Sequence, residues 1–150
     1  MKLTNNENGG FTDVVKLTAL ELIAIGTGGT KQIGVLPIGA SLEVCGVVNT
    51  VDIVGSSSLV IDIGTTIGDP DEFINNLDVD GMTVGLPTYN TGDLMVKTAA
   101  TTTFLGGALP VNPVSAVTPI YIKVTDAAIA SITAGEIVIG MRILDLGKFA

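Results

Sequence analysis

Four groups of side chains have types and spacings that suggest chemistry. Asn76-Leu77-Asp78-Val79-Asp80-Gly81 offers oxygen ligands at alternate positions and then a glycine, as at the opening of a calcium loop. The position where such a loop needs a bidentate glutamate is Pro87. An acidic turn between strands is therefore expected, with a weak cation site of another kind left open. Gly26-Thr27-Gly28-Gly29 is rich enough in glycine to cradle a phosphate, but Lys31 stands where the dinucleotide pattern needs its last glycine. No long helix follows to aim a dipole at an anion, so the segment reads as a β-turn. Asp69, Asp71 and Glu72 resemble the close carboxylates of a glycosidase, yet capping of a short helix accounts for them better. Cys45, between Val44 and Gly46 in an apolar stretch, reads as a buried, inert thiol.

Composition removes most of the remaining enzyme chemistry. The chain of 150 residues has no histidine, the commonest general base and metal ligand. Its single cysteine excludes an intrachain disulfide and a multi-cysteine zinc site. Lys plus Arg total 7 against 15 Asp plus Glu, a formal net charge of -8. That balance argues against a nucleic-acid partner and against docking on an anionic membrane. No cofactor, metal or enzymatic activity is expected. Tyr89 and Tyr121 are the only large amphipathic aromatics, which poorly supplies a sugar-stacking platform. Tyr121 is expected beside a strand, and Tyr89, in a loop, is the better contact candidate.

The elements that must position these residues are strands. The chain holds 17 Val, 16 Ile and 18 Thr, stiff side chains that suit a pleated surface, with 19 Gly and 6 Pro to supply turns. Strands are expected at Val14–Leu17, Thr30–Leu36, Ala40–Val54, Ser58–Gly64, Leu94–Thr98, Thr101–Leu105, Pro119–Thr125 and Gly135–Leu144. Leu22–Ile25 is a further strand or, with Thr18 and Glu21 forming a T-x-x-E box, part of a two-turn helix. In Ala40–Val54 the alternation changes phase, and Gly46 is a candidate bulge. Asp69–Asn76 reads as a short helical turn near residues 70–76, with Asp69 as N-cap, Pro70 at N1, and Phe73, Ile74 and Leu77 plugging the core. Residues 84–117 carry a long loop, Gly106–Val117, and no familiar pattern. The fold class is all-β: an antiparallel β-sandwich, for which a jelly roll fits best.

Domain organisation follows. Residues 1–13 form a polar N-terminal arm without the apolar stretch of a secretory signal, and residues 14–150 form one β-sandwich domain. The most apolar stretch, Ile33–Val54, contains Glu43 and Asp52 and does not read as a membrane span. Synthesis in the cytoplasm is expected. Hydrophobic residues are 47% of the chain, charged ones 15%, and mean hydropathy is +0.60. Either part of the surface is buried against other subunits, or uncharged Thr, Ser, Asn and Gly cover it.

Several of these segments occur together in a known order. Ile33–Gly39 (IGVLPIG), the long strand Ala40–Val54, Ser58–Gly64, the acidic turn Gly68–Ile74 and Thr133–Ile139 (TAGEIVI) follow one another along the chain. This series resembles the small jelly-roll virion proteins of tailed bacteriophages, which serve as head decoration or cement proteins. The resemblance covers about half the chain and rests on turn chemistry and strand pattern. It implies a non-enzymatic structural protein on the outer capsid surface of the virion, a homotrimer whose partner is the major capsid protein. Asn5, Asn6, Asn8, Gly9, Gly10, Phe11, Val14, Val15 and Leu17 are the capsid-contact candidates. The polar arm suits an uneven surface, and the three apolar residues suit an added strand or an anchor. The alternative is a receptor- or glycan-binding module of a head or tail fibre.

Overall fold

A computed structural model describes residues 9–93 and 113–149. Asn5, Asn6 and Asn8, the strands expected at Leu94–Thr98 and Thr101–Leu105, and the first part of the Gly106–Val117 loop lie outside the described residues. Among the described residues, eight strands form two antiparallel four-stranded sheets around one core, in keeping with the β-branched composition. In chain order they are β1 (Asp13–Thr18), β2 (Gly29–Leu36), β3 (Ala40–Val54), β4 (Val60–Gly64), β5 (Ile74–Asp78), β6 (Thr88–Tyr89), β7 (Thr118–Thr125) and β8 (Ala134–Asp145). One sheet has the order β1-β8-β3-β6 and the other β2-β7-β4-β5. The first strand pairs with the last, the second with the seventh, the third with the sixth and the fourth with the fifth. The chain is thus one ribbon, doubled back between β4 and β5 and rolled up. Contacts of β3 with β8 and of β4 with β7 stitch it closed.

The core follows the alternation. Leu59, Ile61 and Ile63 face inward, as do Ile120, Ile122 and Val124 on β7 and Ile137, Ile139 and Met141 on β8; all are buried. In β3 the phase change comes from a register shift between Leu42 and Val44 and another after Asn49, not from Gly46. The first shift leaves Glu43 out of the alternation, so Leu42, Cys45 and Val47 all reach the core.

Between β1 and β2 the helical alternative holds: Ala19–Ile25 is a helix, α1, and Leu22–Ile25 is not a strand. The Glu21 carboxylate accepts the Thr18 N–H at 2.9 Å and the Thr18 hydroxyl at 3.1 Å, tying down the first turn. Leu22 is the buried residue of this helix. The expected helical turn near residues 70–76 is absent. Glu72 instead turns back to the Thr65 N–H and to the hydroxyls of Thr65 and Thr66, and the Phe73 N–H bonds Ile63 O at 2.8 Å. The chain then pairs with β4 as β5, because a ladder satisfies more backbone than one capped turn. Phe73 and Ile74 are buried as expected. Asp69 caps no helix; it lies 3.7 Å from Lys123 Nζ.

Candidate functional site

Most of the acidic groups that suggested chemistry are occupied in holding turns, and the thiol is buried in a strand. Asp78 Oδ1 accepts the backbone N–H groups of Asp80 and Gly81, while the Asp80 carboxylate accepts the Ser56 hydroxyl and the Leu59 N–H. The Asp126 carboxylate accepts the Ser57 hydroxyl and N–H and the Ala128 N–H. Burial works to raise its pKa, but these hydrogen bonds outweigh burial and hold it below the ordinary carboxylate value. Partial burial likewise opposes ionisation of Glu72, and the bonds from Thr66, its own backbone and Thr65 overcome it. Asp71 moves the other way, raised by burial and then by Asp93, Asp69 and Glu72. Burial pushes the Cys45 thiol up to about 12, which removes it as a nucleophile at neutral pH. Gly26-Thr27-Gly28-Gly29 is a turn closed by Gly29 N–H to Gly26 O at 3.0 Å. Among the described residues no group of three His, Cys, Asp or Glu is placed to hold a metal ion.

What the fold does build is an apolar trough, on the outer face of the β1-β8-β3-β6 sheet. The register aligns Val14, Gly140, Gly46 and Tyr89 in one row across all four strands. The two middle residues have no side chain, so the row sinks into a trough between Val14 and Tyr89. Val138 and Val48, paired in a parallel row, continue its floor. The open volume is about 260 Å³.

Two aromatic rings lie against the glycines. A Cβ on Gly46 would come within 2.5 Å of Tyr89 Cδ1, and one on Gly140 within 2.8 Å of Phe11 Cγ. The rings are 14° from parallel with centroids 6.4 Å apart. Glycine is needed at both positions for this close approach. Tyr89 is held by the residue after it: the Asn90 N–H donates to Cys45 O, and Asn90 Oδ1 accepts the Cys45 N–H, both at 2.9 Å. An asparagine side chain thereby extends the β3 ladder beyond the two residues of β6. Phe11 is held through Thr12, whose N–H and hydroxyl both reach Met141 O and whose hydroxyl accepts the Ile143 N–H.

Two ion pairs lie on this sheet. Lys16 Nζ lies 3.1 Å from Glu136 Oε1, and Arg142 Nε lies 3.0 Å from Glu43 Oε2. The Thr50 hydroxyl bonds Glu136, and these bonds with Lys16 hold its carboxyl below the ordinary value. Val84 and Leu86 are exposed beside the β3 edge, where the Gly85 N–H bonds Asn49 O.

The contact candidates divide by face. Gly9 is exposed, Phe11 borders the trough, and Val14 forms its wall with 43% of its surface open. Gly10 is half-buried. Val15 is half-buried against the core and Leu17 is fully buried. Alternation along β1 is the cause: residues that pair as neighbours point to opposite faces. Tyr89 is exposed as expected, but on an edge strand rather than in a loop. Gly46, Gly140, Val48 and Val138 carried no sequence signal of a site. Comparison with protein-family models, with curated proteins and with solved structures returns no match.

Proposed function

We propose that this chain is a non-enzymatic structural protein of a tailed-phage virion, a decoration protein that binds the outer capsid surface and reinforces the shell as a trimer. The observation that carries this reading is the strand order. A ribbon doubled between β4 and β5 and rolled so that β1 meets β8 supports the jelly roll implied by the sequence resemblance. The chemistry is consistent: Cys45 is buried, and the carboxylates of Asp78, Asp80 and Asp126 serve as turn acceptors. In this reading the polar residues 1–8 reach a capsid subunit from the edge strand β1, whose far side offers a ladder for strand addition. Several such contacts on one trimer reinforce one another by effective concentration.

The test is to mix the purified chain with undecorated capsids and measure what pellets with them. Deletion must stop short of Phe11 and Thr12, which belong to the sheet face, so the variant lacks residues 1–8. Full occupancy by the intact chain and at least tenfold weaker binding by the variant are expected. An intact chain that never pellets with capsids overturns the reading. Few copies per particle together with binding to cells or glycans would assign the chain to a fibre.

A further inference from the structure

We infer that residues 83–90 form a strap that two asparagines latch onto β3, and that the strap opens as one unit while the rest of the sandwich stays folded. The inference goes beyond the virion reading and does not depend on it.

Both ends of the strap are anchored beside the other sheet. Before it, the Val79 N–H bonds Leu59 O at 2.9 Å, and the Asp80 carboxylate accepts the Leu59 N–H. After it, the Gly92 N–H bonds Phe73 O at 2.8 Å. Between these anchors the chain crosses to the edge of β3, where its only ladder is the two-residue β6. Asparagines add the remaining grip, one from each side. Asn49 of β3 donates from Nδ2 to Val79 O at 2.5 Å, and its own carbonyl accepts the Gly85 N–H at 2.8 Å. Asn90 of the strap holds the N–H and the carbonyl of Cys45.

Burial adds little to these bonds. None of residues 83–90 is buried, and Val84, Leu86 and Tyr89 are about half exposed. A segment held by hydrogen bonds without a buried apolar face opens below the free energy of global unfolding. The Asn49 latch also works against itself. Asn49 is fully buried, yet among the described residues its Oδ1 has no hydrogen-bond partner. An orphaned acceptor opposes the closed form, and lifting the strap admits water to it. Once the strap lifts, β3 carries the unpaired backbone of an edge strand.

The amides of β3 read this motion directly. Because the Cys45 N–H points to Asn90, antiparallel alternation sends the Val47 N–H toward β6 and those of Gly46 and Val48 toward β8. Native-state hydrogen exchange of the full-length chain, followed residue by residue by NMR, should therefore alternate along one strand. Cys45, Val47, Gly85 and Asn90 are expected to share one opening constant, at least tenfold larger than that of Gly46 and Val48. Low urea should barely change exchange in the first set and should accelerate it in the second. Asn90→Gly removes one latch and keeps the positive φ of 51° accessible. It should speed Gly85 and Val47 by the same factor as Cys45, at least tenfold, which a merely local bond would not do. The pattern in the parent chain decides the matter even if this variant fails to fold. Uniform protection from Cys45 to Val48, unrelated opening constants within the first set, or acceleration of Cys45 alone in folded Asn90→Gly overturns the inference.

Discussion

At the scale of single residues, carboxylates work here as turn clamps, and their titration has a definite sign. Asp126 and Glu72 bind protons less readily folded than unfolded. The stability they contribute is complete above the ordinary carboxylate pKa of about 4 and is lost as pH falls through their lowered values. Asp126→Asn should therefore destabilise the protein by about 2 kcal/mol at neutral pH, with the gap to the parent narrowing as pH falls below the ordinary carboxylate range, as urea titrations in neutral and acid buffer will show. Asp71, with its raised pKa, runs the other way. Its ionised form opposes folding, so Asp71→Asn should stabilise at neutral pH and confer nothing in acid. The glycine pair supplies a second prediction. An Ala Cβ at Gly46 meets the outer part of the Tyr89 ring, which can swing aside, rather than backbone. Gly46→Ala should cost about 1–3 kcal/mol and shift tyrosine fluorescence; a melting curve and an emission spectrum check both effects.

Elements were legible in the sequence where one face alone decides the pattern. Ser58–Gly64 and Pro119–Thr125 alternate cleanly because one side of each strand meets the core. The Asp69–Asn76 segment misleads because its local signals are those of a capped helix, while the partner that wins, β4, is remote in the relevant sense: nothing in the D-P-D-E pattern encodes the ladder. Glu72 reads as a first-turn acid until Thr65 and Thr66 are seen to claim it. The trough was half legible for the same reason. Phe11, Val14 and Tyr89 stand out by chemistry, but Gly46 and Gly140 become neighbours only through the β3–β8 register. Helix α1 shows what a correct local signal builds. It packs against β1, β2, β7 and β8 at one end of the sandwich, with Leu22 fully buried beneath it. Leu22→Ala should cost about 2–5 kcal/mol by urea denaturation, more than a solvent-facing seven-residue helix would lose.

For the whole molecule, the acidic excess governs how copies approach one another. Screening therefore has a predictable effect on the trimer proposed above. Apolar contacts between subunits are weakened little by salt. Repulsion between copies of net charge -8 is long-ranged and falls as the screening length shrinks from about 10 Å at 0.1 M salt to about 3 Å at 1 M. Association should thus tighten as sodium chloride rises, the reverse of a contact made by opposite charges. Sedimentation at the two salt concentrations distinguishes these cases.

The pairing of the first strand with the last has a consequence for the ribosome. β1 ends at Thr18, and its partner β8 does not begin until Ala134. At synthesis rates of about 5–20 residues per second, β1 waits roughly 6–23 s for the strand that completes its ladder. β8 is also the link between β1 and β3, so one sheet of the sandwich stays unjoined until β8 has been made. Completion of this sheet must await β8. A nascent chain arrested before Ala134 should be digested rapidly by a protease, and the same chain extended past Asp145 should resist it. The twelve residues of β8 are what turn a polymer into a protein.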